Sequence, residues 1–274
     1  MGKVIIQSSS NSRLKEIRKL RERKYHKTTP FFYMEGSRIV GEALAHEEVI
    51  ETILIAPELI RNRFAADLAP RAEELGVEVI ELSAAAFESI SIKDNPQGVA
   101  AIGRKRTGTI GEIPRTGGIY LALNSVADPG NLGTIIRTAD AVDARGIFLI
   151  GDSVSPYDIN AIRGSMGAIF SQLIVPCDYE AFLGWKHETG FRLIGTSDQA
   201  ETDYLDVLIP ESVIIMMGSE REGLTERQLR DCDEVARIPM MCSSDSLNLA
   251  VATGVMLYQA HNVQRGYRLM KAGL

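Results

Sequence analysis

The sequence has few of the residues that build disulfide frameworks or metal centres. Its three cysteines, Cys177, Cys232 and Cys242, form no CxxC pair and are odd in number, which argues against a disulfide-stapled scaffold or a zinc ribbon. The four histidines, His26, His46, His187 and His261, are scattered without metal-ligand spacing, so no metal is expected. No apolar run is long enough to span a bilayer. The opening stretch MGKVIIQSSSNSRLK lacks the apolar core of a secretory leader. A reduced, cytoplasmic, metal-free protein with no membrane partner is the expectation. Neither nucleotide fingerprint is present. GxGxxG is missing, which counts against a dinucleotide-dependent oxidoreductase, and GK[ST] is missing, which removes the P-loop.

What is there is ordinary globular material: 274 residues, 45% hydrophobic and 24% charged, with length for one large domain or two modest ones. The net charge of −6 does not suggest a nucleic-acid binder, but it is unevenly spread. Residues 1–40 hold ten Lys and Arg against three Glu, which leaves a balance of −13 for the rest. A basic block on an acidic body points to an anionic partner at one end, or else to a solvated basic helix.

SSSNSRLKEIRKLRERKYHK opens with capping residues and repeats Leu14, Ile17 and Leu20 at helical spacing. Arg13, Lys15, Arg18, Lys19, Arg21, Arg23 and Lys24 fill most other positions, making a cationic helix with a narrow apolar stripe. Strand-like FFYMEG, ETILIAP, VEVIELS and NPQGVAAIGR alternate with helical SRIVGEALAH and RFAADLAPRAEELG. This gives a small N-terminal α/β domain over residues 1–105. RKRTGTIGEIPRTGG has no apolar period, and the linker is placed there, at residues 106–117. From 118 to 274, the short apolar runs IYLALN, GIFLI, RLIGT, VIIMMG and VARIPM alternate with helical stretches. They predict a second α/β domain around a parallel sheet buried on both faces.

Three segments of that domain carry candidate chemistry. DPGNLGTIIRTADA is a Pro-Gly turn feeding a helix, with Asn131 at the turn and Arg137 within the helix. A buried Arg needs a partner, and Asp140 is the structural alternative to a functional role. VIIMMGSEREGLT ends a buried strand in Gly218, Ser219 and Glu220, where open α/β sheets bind ligands; a plain strand-to-helix turn is the alternative. VARIPMMCSSDSLNLAVATGVMLYQ ends a strand at Ile238 and Pro239 and places Ser246 and Asn248 before a helix rich in small residues. Helix capping is the alternative for both.

Taken together and in this order, PGNLGTIIRTA, GSEREGL and IPMMCSSDSLNLAVA resemble the three motifs of the SpoU branch of the SPOUT superfamily, RNA ribose 2′-O-methyltransferases. SPYDINAIRGSMGAIF resembles the family segment around R-x-S-x-G-A-x-F, and residues 1–105 resemble the ribosomal-protein-like RNA-binding domain carried by many members. Cys242 departs from a common Gly, and Gln259 from a common Glu. The resemblance implies a deep trefoil knot in the C-terminal domain, a homodimer with its active site near the interface, and S-adenosylmethionine as cofactor. It implies catalytic roles for Asn131, Arg137, Glu220, Ser246 and Asn248. Thr196, Gly218, Gly223, Ile238 and Leu247 would bind the cofactor, and the N-terminal cations would bind RNA. Ribosomal RNA, large subunit first, is the expected substrate. The alternatives are transfer RNA methylation and a non-catalytic role in RNA binding or ribosome assembly.

Overall fold

The computed structural model describes residues 4–25, 28–46, 49–241 and 246–266. The chain divides into two compact units, Met1–Arg106 with Ser155–Phe170, and Thr107–Val154 with Ser171–Leu274.

Within the first unit the chain runs β1 (Val4–Ile6), α1 (Ser12–Leu20), β2 (Phe31–Glu35), α2 (Ser37–Leu44), β3 (Ile50–Ile55), α3 (Arg63–Ala66), α4 (Leu68–Glu74), β4 (Glu78–Leu82), α5 (Ala84–Glu88) and β5 (Val99–Arg104). Among the described residues the sheet order is β1-β4-β3-β5-β2. The β4 strand is parallel to β1 and β3, while β5 is antiparallel to β3 and β2. Asn11 caps α1 by accepting from Arg13 N at 2.9 Å, and the apolar stripe buries Leu14 and Ile17 against Tyr33, Leu54, Ile80 and Phe87. The single helix expected over RFAADLAPRAEELG breaks at Asp67, which ends α3 and precedes α4. Pro70 falls in the first turn of α4, where backbone N–H groups have no intrahelical partner and a missing one costs little.

The rest of the chain runs β6 (Gly118–Asn124), α6 (Pro129–Ala141), β7 (Gly146–Ile150), α7 (Ile159–Ser165), β8 (Ile174–Cys177), α8 (Tyr179–Thr189), β9 (Arg192–Thr196), β10 (Thr202–Asp203), β11 (Ser212–Met217), α9 (Glu226–Asp231), β12 (Glu234–Arg237) and α10 (Leu249–Gln264). Helix α7 packs with the first unit: Ile159 joins its core, and Tyr157, just before the helix, meets Phe32 in a tilted contact with ring centroids 4.7 Å apart.

All described strand pairs of the second unit are parallel, in the order β10-β12-β9-β11-β6-β7-β8. The central strands β6, β7 and β11 are buried on both faces, as continuous apolar runs require. An aromatic core forms around Trp185 of α8, whose ring lies 4.8 Å from Phe148 and 5.4 Å from both Tyr120 and Phe191. Helices α6 and α10 pack against each other, and α10 packs on β6 and β11.

Candidate active site

Parallel sheets bind ligands outside the C-terminal ends of their strands, where strand order reverses. Here β6, β7 and β8 step one way across the sheet, and β9, β11 and β12 lie on the other side of β6. The switch point therefore falls between β6 and β11, whose ends are level because Leu123 pairs with Met217. The loops leaving those two ends contain the first two sequence motifs.

The helix at the first motif begins one step earlier than a Pro-Gly turn would suggest. Asp128 is the N-cap of α6, accepting from Asn131 N at 2.7 Å, and Pro129 occupies the first helical position, where its fixed φ and missing N–H suit the helix. The actual turn is Ser125–Asp128, with Ser125 at φ 54°. Asp128, which sequence reasoning does not single out, fixes the backbone of Asn131; the Asp-Pro pair is its signal.

Glu220, from the loop after β11, reaches this turn. Its carboxylate accepts from Ala127 N at 3.1 Å, Asp128 N at 3.2 Å and Asn131 Nδ2 at 3.3 Å. Partial burial pushes the Glu220 carboxyl up. Hydrogen bonds from Ala127, its own N–H, Asp128 and Asn131 outweigh that and hold it below its ordinary value. Asn131 Oδ1 in turn accepts from Asn248 Nδ2 at 2.9 Å. Asn248 Oδ1 accepts from Ala250 N at 2.9 Å and Val251 N at 3.4 Å, and so caps α10. One hydrogen-bonded chain, Glu220–Asn131–Asn248, thus joins segments 89 and 117 residues apart. The capping role considered for Ser246 falls to Asn248 alone; Ser246 is exposed and has no partner among the described residues.

Arg137 is exposed on α6, about 9 Å along the axis from Asn131 at 1.5 Å per residue. It has no partner among the described residues. Asp140, its structural alternative, instead accepts from Ser171 Oγ at 2.6 Å and Gln172 Nε2 at 3.3 Å. Thr134 and Thr138 turn their hydroxyls back to helix carbonyls at 2.9 Å. A permanent cation with no counter-ion among the described residues therefore stands on the helix that begins at the switch point.

The cofactor candidates border the same strand ends. Ser219 and Gly223 pair through two backbone hydrogen bonds of 3.1 Å, closing the loop after β11 so tightly that a Cβ on Gly218 would stand 2.1 Å from the Gly223 carbonyl carbon. Thr196, the last residue of β9, donates its hydroxyl to Met216 O at 3.3 Å. Ile238 directly follows β12, and Leu247 precedes α10; both are half-buried. Cys242 lies outside the described residues. Among the described residues, no group of His, Cys, Asp or Glu is arranged to hold a metal ion, and no helix is long and apolar enough to cross a membrane.

The N-terminal cations are mostly engaged within their own unit. Arg13 forks onto Glu78, and Arg18 donates to Ser89 O, Ser89 Oγ and Ser9 O. Arg21 donates to Ile90 O, while Lys19 and Lys24 pair with Glu16 and Glu22. Lys15 and Arg23 are exposed and have no partner among the described residues.

The SpoU rRNA Methylase family model matches residues 118–258, and a model of the MRM3-like substrate binding domain matches residues 11–101. The 23S rRNA (guanosine(2553)-2′-O)-methyltransferase RlmP of Bacillus subtilis is 29% identical, over 92% of this chain and 97% of its own. The 23S rRNA (uridine(2479)-2′-O)-methyltransferase of Streptomyces viridochromogenes is 28% identical, over 84% of this chain and 82% of its own. The AdoMet-bound rRNA methyltransferase of Sinorhizobium meliloti superposes with a TM-score of 0.86 at 34% identity, covering 94% of this chain and 97% of that one.

Proposed function

The chain belongs to the SpoU rRNA methylase family and is an S-adenosylmethionine-dependent RNA 2′-O-methyltransferase; from that premise we propose that it methylates a ribose of large-subunit ribosomal RNA at the site around Asn131, Arg137, Glu220 and Asn248. The observation that carries this reading is the hydrogen-bonded chain from Glu220 through Asn131 to Asn248 at the switch point, with Arg137, which has no partner among the described residues, on the helix of Asn131. Both named relatives are 23S rRNA enzymes, one acting at guanosine and one at uridine. They support the large subunit as the substrate.

Methylating a ribose hydroxyl requires in-line approach to the methyl carbon and loss of a proton from a weak acid, both tasks of positioning. S-adenosylmethionine, when bound, supplies the electrophilic methyl group. The surroundings fit it: the tight Gly218–Gly223 loop offers backbone at close range, and Ile238 and Leu247 offer half-buried apolar surface. The Thr196 hydroxyl donates to Met216 O, and its oxygen can still accept from the cofactor. Arg137 clamps the phosphate beside the target ribose and stabilises developing negative charge on its 2′-oxygen; a guanidinium is a permanent cation with a planar fork suited to phosphate. Glu220 accepts from its own N–H and from three N–H groups of the turn and of Asn131, so it acts by holding the turn that carries Asn131. Asn131 and Asn248 orient the ribose side, and Ser246 is free to meet the hydroxyl or the methionine end.

The same proposal includes a cytoplasmic homodimer and the family's trefoil knot in the second unit. Val251 and Tyr258, seven residues apart on one face of α10, are 53% and 46% exposed, and apolar side chains of that size on a helix packed against α6 suit a second copy. The first unit, with Lys15 and Arg23 lacking partners among the described residues, supplies RNA phosphate contacts.

The test is transfer of labelled methyl from S-adenosylmethionine to large-subunit rRNA purified from cells lacking the gene. Label in that RNA, protected once the RNA comes from wild-type cells, supports the proposal. Label in transfer RNA alone would move the substrate, and no label in either would return the chain to a binding role.

A further inference from the structure

We propose that Ser153, in the loop after β7, is a positioning residue for methyl transfer: its hydroxyl fixes the Ser125–Asp128 turn that carries Asn131. The inference rests on the proposed site around Asn131 and Glu220, and adds to it a residue outside the three motifs that acts through Asn131.

The turn between β6 and α6 is held from two sides. From the β11 side, Glu220 accepts from Ala127 N at 3.1 Å and Asp128 N at 3.2 Å. From the β7 side, Ile150 O accepts from Ser125 N at 2.9 Å, Ser153 Oγ accepts from Val126 N at 3.1 Å, and Val126 O accepts from Val154 N at 2.8 Å. Each backbone N–H of the turn therefore has an acceptor, and Ser153 supplies the one for Val126. The turn needs this hold. Ser125 adopts φ 54°, a left-handed conformation that a side chain disfavours and that persists only where its surroundings over-determine it. Gly151 lets the β7 loop come close to it: its φ is +69°, and a Cβ there would stand 2.8 Å from Ser125 Oγ.

Ser153 Oγ also donates to Ile150 O at 3.0 Å. A hydroxyl bonded to the carbonyl three residues back is a common local turn feature, and alone it would carry no functional meaning. The bond from Val126 differs, because it joins a residue 27 positions away in another loop. With its hydrogen committed to Ile150 O, the hydroxyl presents a lone pair to Val126 N, and a hydroxyl is the smallest side-chain group that does both. A short path leads from there to the site. Asp128 ends the turn and accepts from Asn131 N at 2.7 Å, and Asn131 links Glu220 to Asn248. Without the Ser153 hydroxyl, Val126 N has no acceptor among the described residues. The strained turn then relaxes, and Asn131 moves with it. Methyl transfer tolerates little such movement, because a displacement of about 1 Å costs on the order of 10²-fold in rate.

The experiment compares steady-state methyl transfer by wild type, Ser153→Ala, Ser153→Val, Ser153→Thr, Thr189→Val and Asn131→Ala. Total RNA from cells lacking the gene is the acceptor, and each variant is assayed well below its melting temperature. Val and Thr share a shape and differ by the hydroxyl, so that pair separates the hydrogen bond from packing. Ser153→Ala and Ser153→Val should lower kcat on the order of 10²-fold, with KM for S-adenosylmethionine and for RNA near wild type, and Ser153→Thr should recover most of the rate. Amide hydrogen exchange should show Val126 N–H losing protection in Ser153→Ala and keeping it in Ser153→Thr. Thr189 donates to Trp185 O and Lys186 O at the end of α8, which leads into the N-terminal end of β9, away from the site; Thr189→Val should transfer methyl at the wild-type rate. Near-normal kcat in Ser153→Ala, equal kcat in Ser153→Val and Ser153→Thr, unchanged protection of Val126, or an equal loss in Thr189→Val would overturn the inference. Lost transfer in Asn131→Ala beside near-normal transfer in Ser153→Ala would overturn it alone. Near-normal transfer by Asn131→Ala would overturn the proposed site as well.

Discussion

Asn248 performs two tasks with one amide, and two substitutions separate them. Its Oδ1 caps α10 through Ala250 N and Val251 N, and its Nδ2 donates to Asn131 Oδ1. Asn248→Ala removes both. A lost cap costs about 1 kcal/mol and a lost side-chain hydrogen bond about 1 kcal/mol, so the second unit should lose about 2 kcal/mol. At about 2–4 °C per kcal/mol for a unit of this size, its melting temperature should fall by roughly 4–8 °C. Asn248→Asp keeps the cap, because Asp serves that position as well as Asn. It replaces the donor facing Asn131 with a second acceptor. Asn131 then presents its carbonyl either to Asp at 248 or, after an amide flip, to Glu220, and one of its two links must break. A displacement of that kind costs on the order of 10²-fold in rate. The assay pairs calorimetric melting with labelled-methyl transfer. Asn248→Asp should melt within about 2 °C of wild type, under one kcal/mol on the same scale, while losing most activity. Near-normal transfer by Asn248→Asp, or melting as low as Asn248→Ala, would refute the account of this chain.

The other predictions concern the residues around that chain. Arg137→Ala should abolish transfer and leave S-adenosylmethionine binding by calorimetry largely intact, and Arg137→Lys should fail too because an ammonium lacks the planar fork. Glu220 is held below its unfolded value, so it stabilises the turn fully above the unfolded carboxyl range, and that contribution is lost as pH falls through the folded value; acid melting curves of Glu220→Gln should lack this component. Gly218→Ala should lose cofactor affinity by isothermal titration, because the added methyl would stand 2.1 Å from the Gly223 backbone and force the loop open.

The three motifs are legible in the sequence because each is a local run with fixed spacing, and the strands around them are legible because β6, β7 and β11 are uninterrupted apolar runs. How Glu220, Asn131 and Asn248 join is not legible, since it depends on the register of β6 with β11 and on partners 89 and 117 residues away. Short edge elements escape for simpler reasons. The three residues of β1 are too few to show a period. Pro176 makes IVPC read poorly as a strand, yet β8 lies at the sheet edge, where a missing N–H is tolerated. The packing of α7 with the first unit leaves no mark in composition. Along α1 the sequence shows charge but not its partners: Arg13, Arg18 and Arg21 spend their donors on Glu78, Ser89 and Ile90.

The decisive measurement is a map of ribose 2′-O-methylation across the ribosomal RNA of cells with and without this protein. Deletion should remove methylation at a large-subunit nucleotide, the wild-type chain should restore it, and the Arg137→Ala chain should not. An unchanged map after deletion, or restoration by Arg137→Ala, would contradict both the substrate and the role of Arg137.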